Sequence, residues 1–194
     1  ASFNEVGSVE KMVAWIEPDG NIAAVLHNAV IDGTTVGNVF ASSNDSNAAD
    51  GVKLLTVGSA DMLGSENVIP TTGTTIGQTR YVRYYIYGGK PEATEENPDT
   101  DWTAVSCGLL SSTDGSDWSD TGLQWAADGN FVKASFMKHN DYVYMFGSAA
   151  GDKAPMTYVA RVAASEISNQ GAWQYWDGSE WVAGDEEAAA PICY

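Results

Sequence analysis

Residues 131–182 read FVKASFMKHNDYVYMFGSAAGDKAPMTYVARVAASEISNQGAWQYWDGSEWV, and this stretch decides the fold. FVKASFMKH, YVYMFGS and MTYVARV alternate apolar or aromatic side chains with polar ones, the pattern of half-buried strands. WQYWDG with SEWV supplies the fourth strand-like piece. Asn140-Asp141 joins the first two pieces as a hairpin turn. Short antiparallel strands following one another in this way make one propeller blade. Only residues 164–170 suggest helix, and for no more than about two turns.

The pattern recurs toward the N-terminus. Residues 11–18 (KMVAWIEP) alternate and run into Asp19-Gly20-Asn21, after which 22–30 (IAAVLHNAV) form the return strand. Residues 36–43 and 52–57 add two strands around the turn cluster Asn44-Asp45-Ser46-Asn47. Residues 80–87 (RYVRYYIY) are β-branched and aromatic, with 103–112 as partner. The acidic, proline-bearing insert GGKPEATEENPDTD between them reads as a solvated loop. The expected class is all-β and propeller-like. It has about three four-stranded antiparallel blades, near 11–58, 66–125 and 131–183, in a single domain 1–194. Closed propellers have roughly four to eight blades, so an incomplete ring is expected, one that a second chain could complete. The rival is a β-sandwich in which the blades are merely consecutive hairpins.

Composition narrows the function. The net charge is −17, with nine basic residues in all. Nucleic acids and anionic membranes need clustered Lys and Arg, so both are poor partners. No apolar run approaches the ~20 residues of a membrane span. An acidic surface rich in Asn, Ser, Thr and Gly suits an extracellular, cell-surface or virion protein and is compatible with a neutral glycan ligand. No basic, apolar leader is visible, and Ala1 suits a chain from which a signal peptide has been removed. Cys107 and Cys193 read either as one disulfide or as two separate buried thiols, and neither has zinc-site spacing.

The motifs each have a structural and a functional reading. Ser112-Thr113-Asp114-Gly115-Ser116-Asp117-Trp118 has the form of an Asp-box, one residue short, in which the Asp bonds turn amides and the Trp packs beneath. Asp114, Asp117 and Asp120 also offer oxygens to calcium; a solvated acidic turn is the plainer reading, and no other cofactor is expected. Of the tryptophans Trp102, Trp118, Trp125, Trp173, Trp176 and Trp181, most read as packing and one or two as lining a ligand groove. His27 and His139 read as structural rather than as members of a catalytic triad. The first strand of a blade lines the channel, so Lys133 and Ser135, on one face of such a strand, are placed to bond a ligand. Arg80, Arg83 and Arg161 are strand charges that need partners if buried, and a salt bridge is expected for Arg161. Glycan hydrolysis would need paired carboxylates; Glu5, Asp19, Asp32 and Asp50 are the early acids near strand ends.

From residue 68 onward the segments VIPTTG, RYVRYYIY, WTAVSCGLLSSTDGSDW, DYVYMFGS, TYVARV and WQYWDGSEW occur in this order. Together they resemble a family of bacterial and phage five-bladed propellers, long known only as a domain of unknown function. Some of its members are glycoside hydrolases that cleave cell-wall D-arabinan. The resemblance implies an incomplete five-bladed ring and a ligand of cell-wall polysaccharide. Members carry two acids in the N-terminal strands. The nearest positions here are Glu5, in Asn4-Glu5-Val6-Gly7, and Asn28, in Leu26-His27-Asn28-Ala29-Val30. An amide cannot ionise and so cannot act as acid, base or nucleophile. The implied protein is therefore a secreted or surface glycan-binding propeller with hydrolysis lost, its groove around Glu5, His27, Asn28, Arg83, Tyr85, Lys133 and Ser135. The alternatives are a structural subunit of a cell-surface or phage-tail assembly, and an active arabinanase using Glu5 with a second carboxylate from Asp32 or a partner chain.

Overall fold

The structure is a computed structural model that describes residues 6–44, 56–57, 67–89, 102–151 and 156–193. It is all-β. Three antiparallel sheets follow one another along the chain, each strand pairing with the next. The first holds β1 (Val6–Ile16), β2 (Ile22–Ile31), β3 (Thr34–Ser43) and the short β4 (Thr56–Val57). The second holds β5 (Val68–Ile76), β6 (Thr79–Gly89), β7 (Thr103–Ser112) and β8 (Ser119–Trp125). The third holds β9 (Lys133–His139), β10 (Tyr142–Ser148), β11 (Tyr158–Ala163), β12 (Gln174–Trp176) and β13 (Trp181–Ala183).

Turn chemistry sets the registers. Asp32-Gly33 links β2 to β3 with Ile31 opposite Thr34, and Asn140-Asp141 links β9 to β10 with His139 opposite Tyr142. Asp32 and Asn140 have φ of 49° and 53°, the left-handed turn conformation that Asp and Asn tolerate. The third sheet has five strands where four were expected. Asp177 accepts from the amides of Ser179 (2.7 Å) and Glu180 (2.8 Å), so WQYWDGSEW folds back into two short strands instead of extending as one. In place of the expected two turns of helix over 164–170, residues 164–172 contain two 3-10 turns.

The first strands of the sheets face one another, β5 packing between β1 and β9. This is the inner-strand arrangement of propeller blades. Interlocking side chains join the blades. Between the first and second, the Trp15 indole lies where a Cβ on Gly73 would be, which makes glycine obligatory there, and its Nε1 donates to Thr75 Oγ1 (2.8 Å). Glu17 pairs with Arg80 at 2.5 Å. Asn38 Nδ2 donates to the Val68 carbonyl at 2.8 Å. Between the second and third, Trp125 Nε1 donates to Tyr175 Oη (3.1 Å) within a core that also buries Leu109, Phe131, Met145 and Trp173.

The turn Ser112–Trp118 serves packing. Asp114 Oδ1 accepts from the amides of Ser116 (2.7 Å) and Asp117 (2.9 Å), and Ser112 Oγ accepts from Gly115 N (2.8 Å). Gly115 has φ 81°, and a Cβ there would come within 2.6 Å of the Phe40 ring of the first blade. Trp118 packs on the same ring, with centroids 5.7 Å apart. The two amides hold the Asp114 carboxyl below its ordinary value of 3.8. A lowered acid stabilises the fold above that value and loses its contribution as pH falls through the folded one. Asp114→Ala is therefore expected to lower the melting temperature at neutral pH, and the gap from wild type to close below about pH 3.8. Thermal melts at stepped pH check this; a gap unchanged down to pH 2 would contradict it.

Candidate functional site

A cleft of about 410 Å³ opens where the three inner strands meet. β1 supplies Lys11, β5 supplies Thr71 and β6 supplies Tyr85; β9 and β10 add Lys133, Ser135 and Ser148. The period-2 geometry of β9 sends Lys133 and Ser135 to the same face, and Lys133 pairs across the sheet with Ser148.

Aromatic rings back the two lysines. Tyr85 stacks on Trp102 with centroids 5.0 Å apart and planes at 25°. Lys133 Nζ lies 4.8 Å from the Trp102 centroid and donates to the Gly151 carbonyl at 2.8 Å. Lys11 Nζ lies 5.9 Å from the Tyr85 centroid. Lys11 as a residue is solvent-exposed, but its ammonium is partly desolvated against the cleft wall. That desolvation, and then the like charge of Lys133, lower its pKa from the ordinary 10.5. Burial, followed by the neighbouring Tyr87 and Cys107, raises the Tyr85 phenol. Among the described residues lining the cleft there is no carboxylate. What this arrangement can do is bind a polar ligand against an aromatic wall, using hydroxyl and ammonium donors.

Tyr85, Lys133 and Ser135 thus come together as the sequence suggests. Lys11, Thr71 and Trp102 complete the group; Lys11 and Thr71 had no sequence signal beyond their place on first strands.

Other expected ligand residues lie elsewhere. His27 is buried in the first sheet, its Nδ1 3.0 Å from Asn38 Oδ1, and it does not line the cleft. Asn28 takes φ 47° in mid-strand, and its Nδ2 donates to Glu10 Oε2 at 2.7 Å, also away from the cleft. Arg83 is fully buried between the second and third blades. Its guanidinium donates to the carbonyls of Val132 (3.0 Å) and Phe131 and lies 4.7 Å from the Trp125 ring centroid, so it is a structural cross-link. Asp32 occupies the exposed β2–β3 turn, and Glu5 and Asp50 lie outside the described residues.

The cysteines are two free thiols and not a disulfide. Cys107 is buried within β7, while Cys193 is exposed at the C-terminal edge, bridged to Thr157. Among the described residues Arg161 forms no salt bridge: Nε donates to Gln174 Oε1 (2.9 Å), and the guanidinium lies 4.1 Å from the Trp181 ring centroid. Asp114, Asp117 and Asp120 do not converge on a cation site. Asp114 is occupied by turn amides, while Asp120 accepts from Tyr84 Oη (2.8 Å) and Gly122 N (2.8 Å). Among the described residues no group of three acids, histidines or cysteines could hold a metal ion.

The sequence pattern of one family, described as Domain of unknown function (DUF4185), matches residues 24–194. No curated protein matches the chain in sequence. Several solved structures share its fold. A candidate hydrolase of Bacteroides ovatus ATCC 8483 has a TM-score of 0.51 at 12% identity, over 94% of this chain and 55% of that one. The Bombyx mori GH32 β-fructofuranosidase BmSUC1 has a TM-score of 0.53 at 13% identity, over 96% of this chain and 39% of that one. At such identities the likeness is one of fold. The chain spans about half the length of the first and about two fifths of the second.

Proposed function

We propose a glycan-binding role from this premise: the chain belongs to the DUF4185 family, and its propeller-like fold is one also found in a glycoside hydrolase. The ligand is cell-wall polysaccharide, with arabinan as the backbone the sequence resemblance points to, and the protein acts outside the cell or at its surface. The observation that carries the reading is the cleft at the meeting of the inner strands, where Tyr85 lies beside the hydroxyls of Thr71, Ser135 and Ser148. A sugar offers an apolar ring face to an aromatic wall and hydroxyls to such donors and acceptors.

One feature supports binding over hydrolysis: the described lining contains no carboxylate, and general acid catalysis of glycoside cleavage needs one.

Calorimetry with arabinan, galactan and mannan oligosaccharides tests the reading. Arabino-oligosaccharide is expected to bind without release of reducing ends. Ser135→Trp, a bulky group at an exposed position on the cleft, is expected to weaken binding at least about tenfold, or ~1.4 kcal/mol. Absence of binding to all three glycans, or full binding by Ser135→Trp, would sink it.

A further inference from the structure

We propose that the saccharide taken by this cleft is acidic, with an oxyanion carried on the sugar seated between Lys11 Nζ and Lys133 Nζ while the ring rests against Tyr85. This rests on the glycan-binding reading and names the chemical class of its ligand.

The first argument is charge placement. The chain has nine basic residues against 26 acidic ones. Yet two lysines from different blades line one cleft, with no carboxylate among its described lining residues. Elsewhere in the described chain the arginines are already engaged: Arg80 with Glu17, Arg83 with two backbone carbonyls, Arg161 with Gln174 and Trp181. Among the described residues Lys11 and Lys133 have no acidic partner in the cleft.

The second argument is the standing cost of the arrangement. Two ammonium groups facing one space repel each other, and desolvation adds to the penalty. Lys11 shows both effects in its lowered pKa. Lys133 uses one of its three N–H donors on Gly151, which leaves two for a ligand. An oxyanion between the ammoniums removes the repulsion and accepts charge-assisted hydrogen bonds from both. A neutral sugar would leave the repulsion in place. Because the protein as a whole is strongly negative, long-range steering does not favour an anion; selectivity has to come from these short contacts.

The experiment uses three probes of matched length, a neutral arabino-oligosaccharide, an oligogalacturonate and a sulfated oligosaccharide, with inorganic phosphate as the free anion. The variants are Lys11→Met, Lys11→Arg and Ser135→Trp; each changes an exposed residue, and circular dichroism confirms the fold. At least one acidic oligosaccharide is expected to bind about tenfold or more tightly than the neutral one. Lys11→Met should remove that margin, Lys11→Arg should keep most of it, and Ser135→Trp should weaken binding of both kinds at least about tenfold. Whether carboxylate or sulfate binds better identifies the oxyanion. Equal binding of neutral and acidic probes, indifferent to Lys11→Met, overturns the acidic preference while leaving the glycan reading intact. Failure of every oligosaccharide overturns both. Phosphate binding as tightly as the acidic oligosaccharide overturns the sugar-borne ligand.

Discussion

Arg83→Ala is expected to destabilise the protein by about 2–5 kcal/mol, from the cavity left by a large buried side chain and from acceptors stripped of their donors. The guanidinium is fully buried, and it donates to the carbonyls of Val132 and Phe131 from across the blade boundary. Burial lowers its pKa to about 10, against the opposing pull of Cys107 and Glu186. It therefore remains charged at neutral pH, and its cost relaxes only as pH rises above about 10. Alanine leaves two buried acceptors without donors, and it opens a hole beside the Trp125 ring. Arg83→Met separates these effects. It refills most of the volume but supplies no donor, so about 1–3 kcal/mol should remain. Urea unfolding at pH 7 measures both. A loss below about 1 kcal/mol for alanine would show that water reaches the carbonyls and that the cross-link is dispensable.

Arg83 also shows what the sequence could and could not reveal. In RYVRYYIY it is one more charge on an alternating strand, indistinguishable by period from a channel-facing ligand residue. Only the approach of 131–132, nearly fifty positions on, turns it into a donor for the next blade. Strands with β-branched and aromatic alternation, such as β6, β10 and β11, were legible because each writes its own burial pattern. β5, VIPTTGTTI, was harder to place as a strand, because its proline and run of threonines mimic a loop; its inner position comes from packing between β1 and β9. The cleft divides in the same way. Lys133 and Ser135 could be found from one strand's alternation. Lys11 and Thr71 join them only because three blades bring their first strands to one place. The two readings of the cysteines stayed open for the same reason, since sequence separation does not say that Cys107 is buried within β7 while Cys193 is exposed.

Trp173→Ala is expected to cost about 3–5 kcal/mol, the range for a buried large aromatic cut to alanine. Trp173 is fully buried ahead of β12 and anchors the third blade in three ways. Its ring meets Trp125 of the second blade edge-on at 5.5 Å. It lies nearly parallel to Phe136 of β9 at 6.2 Å. Its Nε1 donates to the Ile167 carbonyl at 3.1 Å, which ties down the segment of 3-10 turns. Alanine would lose the apolar contacts, leave a void lined by these rings, and strand the Ile167 carbonyl. Trp173→Phe keeps most of the ring volume and lacks only the N–H, so it should cost about 1–2 kcal/mol. The ordering matters more than either value, because an N–H that merely solvated in place would make phenylalanine nearly neutral. Against a total stability of roughly 5–15 kcal/mol for a domain, the alanine variant should show a clearly lower urea midpoint. It should also lose the ring-coupled near-ultraviolet circular dichroism that Trp125 and Trp173 share. An alanine variant with an unchanged midpoint would mean that the second and third blades are held together without this contact.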